Sequence, residues 1–212
     1  VIDIVRNLQF NNEANSGEGS FFELVHRLDR ETSGILLIAN SGRVLRTLQA
    51  EDFPLRRFYQ FISTGDFATR AETKRADLQQ SREQSSWLTL DKKNYRVSAP
   101  LDTEHRIEGE RVVIVSSNGK NAETLFTPLH YSPTTDRSLV QAELITGRTH
   151  QIRVHAQFCG APILHDARYN KHESGKNSRL MLHANELRFT LFNKEYTLNA
   201  PLPLEFTKAI EQ

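Results

Sequence analysis

The longest unbroken apolar run in the chain is Ile35-Leu36-Leu37-Ile38-Ala39. It constrains the fold in two ways. A helix that crosses a bilayer needs about 20 apolar residues in succession, and this sequence holds no such segment. A short apolar run between Gly34 and Asn40 is instead the pattern of a strand covered on both faces. The remaining hydrophobicity is periodic. From Leu139 to Ile145, Val140, Ala142 and Leu144 alternate with Gln141 and Glu143, which predicts a half-buried strand. Arg57 to Thr64 is aromatic and β-branched and reads as another strand. Arg111-Val112-Val113-Ile114-Val115 lies between the tight-turn signals Glu108-Gly109 and Asn118-Gly119. Leu180 to His183 and Leu187 to Leu198 read as two further strands.

Helical signals are fewer. Ser41 is placed to cap a helix carrying Val44, Leu45 and Leu48 on one side, ended by Phe53-Pro54. In the turn Thr146-Gly147-Arg148-Thr149, Thr149 is placed to cap a helix that runs to Cys159 and stops at Gly160 and Pro162. Ile152, Ala156 and Cys159 would share its buried side, and His150, Arg153 and Gln157 another face. Residues 68–93 begin with a polar stretch, Ala68 to Ser86, and read as a helical or irregular surface insertion. Residues 11–20, rich in Asn, Gly and Ser, read as a loop. The elements sum to an α+β fold with a mixed, largely antiparallel sheet and flanking helices. At 212 residues the chain is expected to form a single domain, 1–212, with a core of its own.

Composition excludes several classes. Hydrophobic residues make up 38% and charged residues 25%, with a mean hydropathy of −0.53, so the chain is neither disordered nor membrane-spanning. The start, Val1-Ile2-Asp3-Ile4-Val5-Arg6, has no basic segment followed by an apolar one and is not a secretory signal. The single cysteine, Cys159, excludes an internal disulfide and suits the reducing cytoplasm. Net charge is only +1. The cations are nonetheless segregated. Arg148, Arg153, Arg168, Lys171, Lys176, Arg179 and Arg188 fall in one stretch with five of the eight histidines, against Asp166, Glu173 and Glu186. Such a stretch is either a solvated face or a surface for phosphates.

Two segments could carry chemistry. In His26-Arg27-Leu28-Asp29-Arg30-Glu31-Thr32-Ser33-Gly34 a carboxylate stands between arginines at the mouth of the apolar run. Asp29 there is either a functional carboxylate or one half of a loop-stabilising ion pair. In Thr146-Gly147-Arg148-Thr149-His150-Gln151-Ile152-Arg153-Val154-His155 the two histidines are five positions apart, not four, and do not share a helix face as zinc-binding pairs do. A metal-dependent hydrolase using His150, His155 and Asp166 is therefore the weaker reading. No GxxxxGK[ST], GxGxxG or GxSxG occurs, which disfavours nucleotide hydrolysis, hydride transfer and serine-hydrolase chemistry.

Taken together, these segments resemble a known family. His26-Arg27-Leu28-Asp29 followed by Thr32-Ser33-Gly34 resembles the active-site motif of the RluA family of RNA pseudouridine synthases. Arg57-Phe58-Tyr59 resembles that family's tyrosine motif, and Gly119-Lys120-Asn121-Ala122-Glu123-Thr124 its central strand. Thr146 to His155 resembles its arginine helix. Pro162-Ile163-Leu164 with Asp166 and Tyr169, then Arg179 to Ala184, resemble its closing motifs. The match runs in the family's order from residue 24 to about 204. His165 stands where the family usually has glycine. The family's usual strand and Asn-Lys-Pro-x-Gly turn ahead of the aspartate are not visible, so some N-terminal sequence is expected to be missing.

The resemblance implies a pseudouridine synthase-type catalytic domain that isomerises uridines in structured RNA, ribosomal RNA ahead of transfer RNA. It implies no cofactor and no metal. Asp29, Tyr59 and Arg153 are implied as the catalytic residues: Asp29 as the carboxylate, Arg153 as its charged partner, and Tyr59 as the face that receives a base turned out of the stack, its hydroxyl also able to handle a proton. Arg27, Lys120 and Arg148 are implied as RNA-binding residues. A cytoplasmic monomer is expected. The alternative is a catalytically impaired RNA-binding protein of the same fold.

Overall fold

A computed structural model describes residues 21–81, 83–103, 105–107, 110–170 and 178–211. The expected loop at 11–20 and the cations Lys171 and Lys176 lie outside them. The fold is α+β, as the patterning predicts, and is organised by one eight-stranded sheet. Its main strands are β1 (Arg56–Thr64), β2 (Leu88–Asp91), β3 (Asn94–Val97), β4 (Thr124–Ser132), β5 (Arg137–Leu144), β6 (Leu182–Leu191) and β7 (Lys194–Asn199). They lie in the order β7-β6-β1-β5-β4-β3-β2, all antiparallel. The short strand Ser33–Gly34 adds one parallel pairing, on β6. The helices are α1 (Gly42–Leu48), α2 (Phe67–Gln79), α3 (Gln151–Phe158) and α4 (Leu204–Glu211). Among the described residues no helix is long and apolar enough to cross a membrane.

The alternation in β5 works as its pattern requires: Val140 and Ala142 are buried, while Gln141 and Glu143 are only partly covered. The centre of the core is aromatic. Phe61, Phe67 and Phe126 are fully buried and meet edge to face, with centroids 5.2 to 6.1 Å apart. Each such ring contributes about 1.5–3 kcal/mol by leaving water, with a further gain from the edge-to-face geometry. Ser41 caps α1 as expected, its Oγ accepting from the Val44 amide at 3.3 Å. The helix ends at Leu48, before Phe53-Pro54 is reached, because the chain turns at Gln49 and Ala50.

Several expectations are corrected. The apolar run 35–39 is not a doubly buried strand. Ser33–Gly34 pairs with β6 and Ile38–Ala39 with Glu23–Leu24. The residues between connect two sheets and are only partly covered, Leu37 packing, like Val44 and Leu45 of α1, against the cluster of Val25, Ala39, Leu48 and Phe189. Arg111 to Val115 is likewise split, Glu110–Arg111 pairing with Arg106–Ile107 and Ile114–Val115 with Leu101–Asp102. The two C-terminal strands divide at Phe192-Asn193, both in the left-handed conformation that a tight hairpin demands, and not between His183 and Leu187. The stretch 68–93, polar as it is, is joined to the core. Phe67, Ala71 and Leu78 of α2 are buried, and Leu88–Asp91 forms the edge of the main sheet. Few apolar side chains suffice where one narrow stripe of a helix meets a sheet.

Candidate active site

The site is assembled by sheet register. Ala184 of β6 pairs with Tyr59 on one side and with Gly34 on the other. The loop that carries Asp29 is thereby tied beside Tyr59. Only glycine permits the approach: Gly34 has φ +109°, and a Cβ there would lie 2.1 Å from the Ala184 carbonyl oxygen. Upstream, the Thr32 amide donates to the Asp29 carbonyl at 3.0 Å and closes the turn.

The opposite wall is α3. Its start differs from the sequence expectation. Thr149 does not cap it; the cap position is His150, left-handed at φ 53° and without a capping side chain. Gln151 organises the turn instead. Its Oε1 accepts from Thr146 Oγ1 at 2.8 Å and from the Arg148 amide at 2.9 Å. Its Nε2 donates to the Glu123 carbonyl and to Thr124 Oγ1, both at 2.9 Å. The Thr124 hydroxyl also meets His155 Nδ1 at 2.9 Å, and His155 Nε2 donates to the Ala99 carbonyl at 2.9 Å. The Gly119–Thr124 motif therefore anchors the helix to β4. The helix is buried nearly all round, from Gln151 to Ala156, rather than along one stripe.

Arg153 projects from α3 with 4% of its surface exposed. Its Nη1 lies 3.3 Å from Asp29 Oδ2. Its shorter bonds go to Asp166, Nε to Oδ2 at 2.7 Å and Nη2 to Oδ1 at 2.8 Å. Asp29 is thus a partner of Arg153, as expected, but Asp166 is the principal one. Asp166 is fully buried and also accepts from the Arg168 and Tyr169 amides at 3.0 Å. Burial works against the charged guanidinium, but the bonds and charge of Asp166, followed by those of Asp29, outweigh it and hold Arg153 protonated. The guanidinium also sits 5.2 Å from the centroid of the Tyr169 ring.

Asp29, Arg153 and Tyr169 line a cleft of about 1050 Å³ together with Arg27, Arg148 and His150, with Asp166 buried behind it. It adjoins a hollow of about 500 Å³ floored by Tyr59, His26, Arg57 and Leu182. Asp29 and Arg153 line both. Tyr59 is 5% exposed, and burial pushes its hydroxyl up to about 12, so it is protonated at neutral pH. His150 shares a 2.8 Å hydrogen bond with the Tyr169 hydroxyl, and burial lowers its pKa against the pull of Asp29. Arg27 and Arg148 stand at the rim; Arg148 Nε donates to the Asn121 carbonyl at 3.0 Å. Lys120 is exposed, bridges to Leu101 and does not line the cleft.

The trio His150, His155 and Asp166 does not form one site. His155 is fully buried with both ring nitrogens engaged, and burial lowers its pKa to about 4. Among the described residues no cluster of histidine, cysteine and carboxylate side chains is placed to hold a metal.

A model of the RNA pseudouridylate synthase family matches residues 4–158. The chain belongs to this family. The RNA pseudouridylate synthase assignment accords with its curated relatives. It is 36% identical over 205 residues to ribosomal large subunit pseudouridine synthase C of Vibrio vulnificus (strain CMCP6), covering 92% of this chain and 56% of the relative. It is 36% identical over 184 residues to the protein of that name from Escherichia coli (strain K12), covering 82% and 50%. The chain thus spans about half the length of these relatives. Two solved human structures share the pseudouridylate synthase fold. RNA pseudouridylate synthase domain containing 1 aligns with a TM-score of 0.66 at 21% identity, over 95% of this chain and 75% of its own. RNA pseudouridylate synthase domain containing 4 aligns at 0.67 and 23%, over 98% and 80%.

Two residues of the site escape a reading of the sequence. Asp166 is visible there as part of a closing motif and as a metal-ligand candidate, but nothing in its spacing points to Arg153. Gln151 sits inside a motif whose other members draw attention, and its role depends on a left-handed His150 that no propensity predicts. His165, in place of the family's usual glycine, adopts φ +61°, the conformation that glycine takes without strain.

Proposed function

We propose that this chain isomerises uridine to pseudouridine in ribosomal RNA, with Asp29 as the catalytic carboxylate. The observation that carries the reading is the meeting of Asp29 and Arg153 at 3.3 Å in a cleft that opens onto Tyr59. The reaction breaks the bond from the sugar to N1 of the base and forms one from the same sugar carbon to C5. The C5 proton leaves and N1 gains one, so no oxidant or cofactor is needed. A carboxylate fixed beside a guanidinium at the mouth of the hollow is placed to attack or deprotonate at the sugar or base. A base turned out of the stack needs an aromatic face, and Tyr59 floors the hollow next to Asp29. Arg27 and Arg148 at the rim suit RNA phosphates. Lys120, outside the cleft, suits a more distant part of the strand.

Ribosomal RNA is favoured over transfer RNA because the curated relatives named above are ribosomal large subunit synthases. The test is release of tritium from RNA labelled at C5 of uridine. Wild type is expected to release it from ribosomal RNA, in the presence of EDTA as well, and Asp29→Asn is not. Release from transfer RNA alone would overturn the ribosomal assignment. RNA binding with no release from either would favour the catalytically impaired RNA-binding alternative.

A further inference from the structure

Arg57 stands in the floor of the site as an uncompensated cation. Among the described residues no carboxylate lies within ion-pair distance of it, and its Nε is buried with no hydrogen-bond partner. The surrounding carboxylates are taken. Glu143 pairs with Arg56, Glu186 with Arg188, and Glu123 with Arg96. The sheet register explains why none of these reaches Arg57. Its cross-strand neighbours are Leu144 on β5 and Leu187 on β6, both apolar. A half-buried arginine whose cross-strand neighbours are both leucines loses hydration and receives no compensating charge from them.

The surrounding structure nonetheless accommodates it. Gly147, in the turn before α3, leaves the space it occupies: a Cβ there would lie 2.8 Å from Arg57 Nη1. Arg57 lines the hollow together with Tyr59, Asp29 and Arg148. Its positive charge is felt inside that hollow, where it lowers the pKa of His26 behind the larger effect of burial. Asp29 does not neutralise it, because Asp29 is turned to Arg153.

We propose that Arg57 binds a phosphate of the RNA strand beside the target nucleotide, an anion that supplies the charge the protein withholds. The inference rests on the RNA reading above and extends it to Arg57, a member of the tyrosine motif to which the reading so far gives no role. A guanidinium is suited to this role, since its fork of donors matches phosphate oxygens and it does not lose its proton on burial.

The experiment measures binding of a uridine-containing RNA hairpin by wild type, Arg57→Met and Arg57→Lys across a range of KCl concentrations, with urea unfolding of each protein alone. Removing a single phosphate-binding cation reduces the slope of log affinity against log salt by about 0.7–0.9. Arg57→Met is expected to show that reduction, with affinity falling roughly fivefold to tenfold at ~0.1 M salt. Its urea midpoint is expected to stay level or rise, since no partner is lost. Arg57→Lys is expected to keep the slope. A lower urea midpoint for Arg57→Met with an unchanged slope would make Arg57 structural and overturn the proposal. Weakened affinity with an unchanged slope would point to an uncharged interaction and overturn it too. If wild type itself fails to bind RNA, the reading of the whole cleft falls, and this inference with it.

Discussion

Asp166, which has no exposed surface, takes both Nε and Nη2 of Arg153, at 2.7 and 2.8 Å. The remaining nitrogen, Nη1, reaches Asp29 at the longer distance of 3.3 Å. The two carboxylates therefore hold the same guanidinium unequally. Asp166 fixes its plane with the geometry of a bidentate pair. Asp29, a quarter exposed, is oriented by it without being consumed by it.

Asp166→Asn should be the more damaging change for the fold. It removes the buried charge that compensates Arg153 and puts an amide nitrogen where an acceptor is needed. Breaking one side of a buried pair costs about 3–5 kcal/mol. Urea unfolding should report a loss of that order, and isomerisation should fall because Arg153 is no longer aimed at Asp29. A stability within about 1 kcal/mol of wild type would mean that the guanidinium finds solvent on its own.

Asp29→Asn should behave in the opposite way. Arg153 keeps its principal partner, and a partly exposed pair contributes little, about 0–1 kcal/mol. The unfolding midpoint and RNA affinity should stay near wild type while tritium release from C5-labelled uridine disappears. Turnover by a preparation free of wild-type enzyme would remove Asp29 from the chemistry.

The sequence made this pairing legible only through its motifs. Asp29 and Arg153 are 124 positions apart, and no periodicity joins them. What local physics did predict is what depends on neighbours in the chain: the alternation of β5, the Ser41 cap and the strand that carries Tyr59. It failed where long-range contacts decide. Ile35 to Ala39 read as a core strand because composition cannot say that the segment crosses between two sheets. Phe67, Ala71 and Leu78 are too sparse to mark α2 as a core helix, yet the sheet beneath supplies the rest of the apolar surface. Thr149 has the chemistry of a cap, but the side chain of Gln151 reaches the turn first.

Tyr59 should prove to be both core and platform. Tyr59 is only 5% exposed, so Tyr59→Ala should cost stability in the range of about 3–5 kcal/mol typical of buried aromatic truncations. It should also lose the stacking of one base, about 1–3 kcal/mol of RNA affinity. Tyr59→Phe keeps the ring and should leave both nearly unchanged. Calorimetry and RNA titration on the two variants separate the roles. Equal RNA affinity for Phe and Ala would leave Tyr59 a core residue only.

His155 should set much of the acid limb of stability. Burial holds its folded pKa at about 4, whereas in the unfolded chain it titrates near 6.5. A depressed histidine has no effect on stability above pH ~6.5, where both states are neutral. As pH falls below that value the unfolded state binds the proton first, and stability is lost progressively until the folded state titrates near 4. The full loss is on the order of 3 kcal/mol, with about 2 of it reached by pH ~5. His26, His150 and His183 are lowered in the same direction, each chiefly by burial, and steepen the same limb. The check is urea unfolding at pH ~7.5 and ~5 for wild type and His155→Gln. Glutamine retains a donor for Ala99 and an acceptor for Thr124 but no titrating group. The variant should start less stable and lose less on acidification. Parallel losses in the two proteins would mean that His155 takes up its proton as easily folded as unfolded.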